Sequence, residues 1–198
     1  LASGETVRVW RKDLTEKDGM LCGGSATIYM EVVGREDELR ILGAGHVGKA
    51  VAQAGAFVGF RVTVWDEREE YANRENISCA RTVACPIEEI FEKGITLHER
   101  SYVVIVTRGH ALDAEAVAIT DKKPGAYYGM IGSRSKITAV RKMLLARGVS
   151  EEHLDRLHQP IGLPIKAETP EEIAVSILAE IIAVKRGGDT VGLRSNGR

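Results

Sequence analysis

The stretch from Leu39 to Asp66, LRILGAGHVGKAVAQAGAFVGFRVTVWD, leaves this chain few folds to choose from. Leu39, Ile41 and Leu42 make a short apolar strand that runs into a G-x-G-x-x-G turn at Gly43, Gly45 and Gly48. Val47, Val51, Ala54 and Val58 then recur at helical spacing, and RVTVWD reads as a second strand ending in an acid. Each glycine has a mechanical role in such a unit: the first for a tight turn, the second for close approach of a pyrophosphate, the third for seating the helix on the strand. The helix start directs unpaired N–H groups and the positive end of the dipole at phosphates. Asp66 lies at the usual separation of roughly 20 residues from the turn, where a carboxylate accepts ribose hydroxyls. The expected fold is therefore α/β: a Rossmann-like parallel sheet with helices on both faces, preceded by a small N-terminal β-rich segment.

Composition removes several alternatives. In 198 residues, 27 Lys and Arg balance 28 Asp and Glu, for a formal charge of −1. That balance gives no basis for nucleic acid or a membrane surface as partner. No apolar run approaches the roughly 18 residues of a membrane span. Cys22, Cys79 and Cys85 are too few and too irregular for a disulfide framework or a zinc site, so no metal site is expected and a reducing cytoplasm is the expected setting. The start, LASGETV, reads as the interior of a longer protein rather than as a signal peptide.

Along the chain, residues 1–36 form one expected segment, 37–187 the Rossmann-like domain and 188–198 a polar tail. In the first, VRVW (Val7–Trp10) and SATIYMEVV (Ser25–Val33) alternate like two strands, with Ala26, Ile28, Met30 and Val32 on one face. Between them DGMLCGG places Cys22 at the edge of a glycine turn, either as a small apolar residue or as a thiolate for a soft partner such as sulfur or molybdenum. Beyond Asp66 a charged stretch, EREEYANRENI, is turn-prone. ISCARTVAC (Ile77–Cys85) is expected to contain a third strand, with IEEIFEKG as a short helix after it. SYVVIVT (Ser101–Thr107) has the continuous apolar run of a strand buried on both faces. ALDAEAVAI reads as a helix, AYYGMIG (Ala126–Gly132) as a strand, and a basic helix with Ile137, Val140 and Leu144 as its apolar stripe follows. SEEHLDRLHQ predicts a further short helix. The clearest helix is TPEEIAVSILAEIIAVKRG, where Thr169, Pro170 and Glu172 spell a capping box with proline at the first position.

Ligands in an open α/β sheet collect beyond the carboxyl ends of the strands. Three loops leave such ends here. The first holds Gly43, Gly45, His46, Val47 and Gly48; the second Thr107, Arg108 and Gly109; the third Ser133, Arg134 and Lys136, a small-residue turn with two cations at a helix start that suits an anion. His110 and Asp113 are candidates for an acid–base pair, or for a strand-end histidine beside a helix cap. Asp66 repels a 2′-phosphate, so NAD is expected to bind more tightly than NADP, although Arg68 offers such a phosphate a partner.

Four blocks resemble the XdhC/CoxI family, accessory proteins of xanthine dehydrogenase and related molybdenum hydroxylases: GMLCGG at Gly19–Gly24, GAGHVG at Gly43–Gly48, YYGMIGSRSK at Tyr127–Lys136, and PIGLPI with ETPEEIAVSILAEII across Pro160–Ile182. The resemblance implies a maturation factor or chaperone that binds molybdenum cofactor, or a nucleotide-bearing form of it. Such a factor aids sulfuration with a cysteine desulfurase and inserts the cofactor into an apo-hydroxylase. It also favours Cys22 as a cofactor or sulfur ligand. A homodimer is expected. The chain departs from the family pattern in lacking a longer N-terminal domain with a GSxPRxxG-like block, which implies either a C-terminal piece or a short member with a separate N-terminal partner. Two other readings stand beside this one: an NAD(P)-dependent oxidoreductase using His110 and Asp113, and a non-catalytic nucleotide-sensing regulatory domain.

Overall fold

Six short apolar segments become one parallel sheet because each is followed by a connection long enough to return to the same edge. The structure is a computed structural model and describes residues 7–14, 24–31 and 36–188. The chain divides into two units, Leu1–Arg35 and Glu36–Arg198. In the first, β1 (Val7–Leu14) and β2 (Gly24–Glu31) pair antiparallel, with Trp10 opposite Ile28 and Val9 opposite Tyr29. The segment holding Cys22 lies outside the described residues.

In the second unit the elements follow as β3 (Glu38–Leu42), α1 (His46–Phe57), β4 (Arg61–Asp66), β5 (Arg81–Ala84), β6 (Ser101–Ile105), α2 (His110–Thr120), β7 (Tyr127–Met130), α3 (Arg134–Ala146), α4 (Glu151–Arg156), β8 (Leu157–His158) and α5 (Pro170–Lys185). The sheet order is β5-β4-β3-β6-β7-β8, all parallel. The direction of winding reverses between β3 and β6, which opens a crevice at their carboxyl ends.

Strand side chains alternate between two cores. Leu39, Ile41, Val62, Val64, Tyr102 and Val104 face α1 and α5. Leu42, Trp65, Val103, Ile105, Tyr128 and Met130 face α2, α3 and α4. The capping box of α5 forms as its sequence dictates: the Thr169 hydroxyl accepts from the Glu172 N–H, and the Glu172 carboxylate accepts from the Thr169 N–H. The expected third strand forms within ISCARTVAC, at Arg81–Ala84, after turns in which Asn73 and Asn76 bond the backbone of residues 69–76. One expectation changes: the segment IEEIFEKG gives only a one-turn 3-10 helix, Ile87–Glu89. No helix among the described residues is long and apolar enough to cross a membrane.

The sheet's second edge is fastened by a buried acid. Glu180 lies on the inward face of α5 and is fully buried. Its carboxylate accepts from the Tyr127 hydroxyl at 2.7 Å and from the Gly162 N–H at 2.8 Å. His158 stacks on Tyr127 at 4.5 Å between ring centroids. Removing one partner of a buried hydrogen-bonded group leaves the others desolvated and unmatched, at about 1–3 kcal/mol each. Glu180→Ala should therefore cost about 3 kcal/mol in urea unfolding and Tyr127→Phe about 1 kcal/mol; equal costs would mean that Glu180 does not organise this edge.

Candidate functional site

The glycine turn that follows β3 is drawn into place from both sides. The Gly43 N–H donates to the Trp65 carbonyl at 2.7 Å, and the Val106 N–H donates to the Leu42 carbonyl at 2.8 Å. Gly43 has φ 120°, a left-handed value that suits glycine, and a β-carbon there would strike the Val106 carbonyl. A β-carbon on Gly48 would overlap the Gly43 carbonyl oxygen. Gly45 differs from both. Its φ is an ordinary −68°, and a β-carbon there would meet no described residue within 4 Å. Nothing in the fold requires glycine at 45; it keeps the backbone bare toward the crevice.

The two helices that begin at the crevice share a second feature. Gly45 is the N-cap of α1 and Gly109 that of α2, and among the described residues no side chain caps either helix. The helices that follow α3 are closed by side chains: Ser150 caps α4 and Thr169 caps α5. Uncapped N-termini leave donors and a positive dipole end for an outside acceptor. His46, Arg108 and His110 are exposed around these helix starts, while Val47 packs inward. Arg108 pairs with Glu67 at 2.7 Å across the rim; with the Arg108 side chain largely in solvent, the pair holds the loops only weakly.

Asp66 does not present the open carboxylate that its position implied. It is 4% exposed. One oxygen accepts from the Ala44 N–H at 2.9 Å and from Arg68 Nη2 at 3.0 Å; the other accepts from the Arg68 N–H at 3.1 Å and Nε at 2.9 Å. Those four donors fill the acceptor capacity of a carboxylate. The Arg68 guanidinium also lies 3.8 Å from the centre of the Tyr71 ring. A ribose diol reaches Asp66 only by displacing Arg68. Burial by itself would raise the Asp66 pKa, but the bonds from Arg68 and from the backbone of Ala44 and Arg68 hold it below the usual carboxylate range.

Other candidates separate as well. Asp113 is fully buried and accepts from the Thr107 hydroxyl at 2.7 Å and the Thr107 N–H at 3.2 Å. His110 is exposed on the first turn of the same helix, so the carboxylate is committed to Thr107 rather than to orienting the imidazole. Asp113 thereby fixes Thr107 and the loop through Gly109. Ser133 is exposed at the start of α3; the side chains of Arg134 and Lys136 fall outside the described residues. Sequence reasoning missed Glu180 and its link to Gly162. The signal was present, since Glu180 stands three residues after Ile177 on the apolar stripe of α5.

A family model for the XdhC Rossmann domain matches residues 39–181. The chain is 36% identical over 173 residues to the Escherichia coli protein YqeB, covering 84% of this chain and 31% of that protein. It is 26% identical over 162 residues to a Bacillus subtilis protein named as a probable xanthine dehydrogenase component, covering 82% and 47%. A solved structure of a xanthine dehydrogenase from Bacillus halodurans superimposes with TM-score 0.66 at 26% identity, over 83% of this chain and 46% of that one. The chain thus spans less than half the length of these relatives.

The depressed pKa of Asp66 fixes a sign. Its contribution to stability is fully present above the unfolded value of about 3.9 and is lost as pH falls through the lower folded value. Asp66→Asn should cost about 2 kcal/mol at pH 7 and should flatten the acid limb of the stability profile, measured by urea unfolding between neutral and strongly acidic pH. An unchanged acid limb would remove Asp66 as its source.

Proposed function

We propose that this chain, which belongs to the XdhC Rossmann-domain family, is part of an accessory factor for a molybdenum hydroxylase of the xanthine dehydrogenase type. In this reading the crevice at the β3–β6 switch holds molybdenum cofactor or a nucleotide-bearing form of it. The factor aids sulfuration of the cofactor with a cysteine desulfurase and delivers it to the apo-hydroxylase, in the cytoplasm and as a homodimer. Cys22 is the proposed thiol for molybdenum or sulfur.

One observation carries the reading: Gly45 is bare toward the crevice with no internal need to be glycine, at the start of a helix that no side chain caps. That combination fits a phosphate on the turn. The names of the B. subtilis relative and of the B. halodurans structure point to the same hydroxylase system. An oxidoreductase reading is less supported, because His110 and Asp113 are turned to different tasks and Asp66 is already saturated.

The residues of the turn fit the phosphate end of such a cofactor. Gly45, His46 and Val47 would hold it by backbone N–H groups, and Thr107–Gly109 would border it. When bound, the cofactor would supply the molybdenum and dithiolene chemistry that the hydroxylase later uses. The chain's own part is to bind, orient and shield.

The test is transfer of cofactor to a cofactor-free xanthine dehydrogenase-type hydroxylase from the same source, read as recovered hydroxylase activity. The chain should raise the recovery, and Gly45→Val should abolish that gain while changing the melting temperature by only a few degrees. Gly48→Ala should instead lower the melting temperature, since its β-carbon has no room. If Gly45→Val transfers as well as the natural chain, the turn does not hold the cofactor.

A further inference from the structure

The functional reading uses only the β3–β6 half of the carboxyl edge. Beyond β7 lies a pocket of about 710 Å³, well inside the range of about 300–1,000 Å³ found for small-molecule sites. Its walls are the turn Ile131–Ser133, the loop 160–167, and Ile173 and Ser176 of α5.

The loop wall is fixed rather than loose. Ile161 N–H donates to the Met130 carbonyl at 3.0 Å, continuing the sheet edge. Gly162 N–H donates to Glu180, and Ser176 Oγ donates to the Leu163 carbonyl at 2.7 Å while Leu163 N–H donates to the Ser176 carbonyl at 3.2 Å. These bonds use up much of the loop's own polar capacity. What remains toward the pocket is largely apolar, from Ile131, Pro160, Leu163, Ile165 and Ile173. Such a lining suits a ring system and gives an inorganic ion little to bind.

Lys166 supplies the exception. It lines the pocket, is exposed, and makes no hydrogen bond or ion pair with any described residue. Its φ is +59°, in the left-handed region that a side chain disfavours. Lys122, at φ +58°, is the other such residue among those described. It stands just past the end of α2, where a left-handed residue commonly terminates a helix. Lys166 ends no helix. Lys166 thus combines an uncommon backbone conformation with an ammonium that no described residue engages, at the wall of a largely apolar pocket, where an anionic group on a ligand would give that charge a partner.

We propose that this pocket is a second binding site on the chain, one that takes a heterocyclic ring between its apolar walls and pairs an anionic group on that ring system with Lys166. The inference rests on the crevice reading in one respect: the pocket and the glycine turn both follow carboxyl ends of strands in the same sheet, so under that reading the ring end of a ligand phosphorylated at the turn is a candidate occupant.

Fluorescence titration with pterin-6-carboxylate tests the pocket, and ADP-ribose titrated in parallel tests the turn. Pterin-6-carboxylate should bind the natural chain, lose at least tenfold in affinity with Lys166→Ala, recover with Lys166→Arg, and fail with Ala167→Trp, which fills the pocket. Neutral 6-methylpterin should bind the natural chain and Lys166→Ala alike. Absence of pterin binding, equal binding by all the variants, or full competition by inorganic phosphate would overturn the proposal. Pterin binding without ADP-ribose binding would uphold the pocket and reject a nucleotide-bearing ligand at the turn; ADP-ribose binding without pterin binding would overturn the pocket and leave the turn as the binding site.

Discussion

Between α1 and the glycine turn there is no room for a β-carbon. A β-carbon on Gly48 would overlap the Gly43 carbonyl oxygen, so glycine there sets how closely the helix lies on β3. The seat of α1 places α5 beside it over the same face of the sheet. It also fixes the height of Gly45 and of the uncapped helix start above the strand ends. The bond from Ala44 N–H to Asp66 ties the turn to the tip of β4, and Arg68 clamps the same carboxylate from the other side. Ligand site and fold are therefore set by one set of contacts. A side chain at Gly48 disturbs both, whereas one at Gly45 disturbs only what approaches from outside.

Much of this was legible in the sequence because it depends on local pattern. The glycine spacing, the RVTVWD strand and the capping box of Thr169 and Glu172 all form where the residues place them. What was hidden depends on side chains folding back onto their own chain. Asp66 and Arg68 are two residues apart and have many conformations open to them; only the fold shows that they choose each other. His110 and Asp113 stand three apart on a helix, a spacing that permits contact, yet Asp113 turns to Thr107. β8 has two residues, too few for any period to register, so the end of SEEHLDRLHQ read as helix. Cys22 belongs to a segment outside the described residues, and its role stays with the proposal.

The two halves of the sheet edge are built differently. The β3–β6 half offers backbone donors and bare glycine, a surface for phosphate. The half beyond β7 offers a loop fastened through Glu180 and Ser176, a largely apolar lining and, among the described residues, the cation Lys166. The proposal assigns both to a ligand with a phosphate at one end and a ring at the other, whereas a hydride-transfer substrate meets an Asp113 already committed to Thr107.

The most direct measurement is native mass spectrometry of the chain mixed with molybdenum cofactor released from a molybdenum hydroxylase. A complex of one chain with one phosphorylated pterin, weakened by Gly45→Val, is the expected result. A chain that stays empty under conditions where the same cofactor binds its hydroxylase would contradict the claim that the crevice is built to carry it.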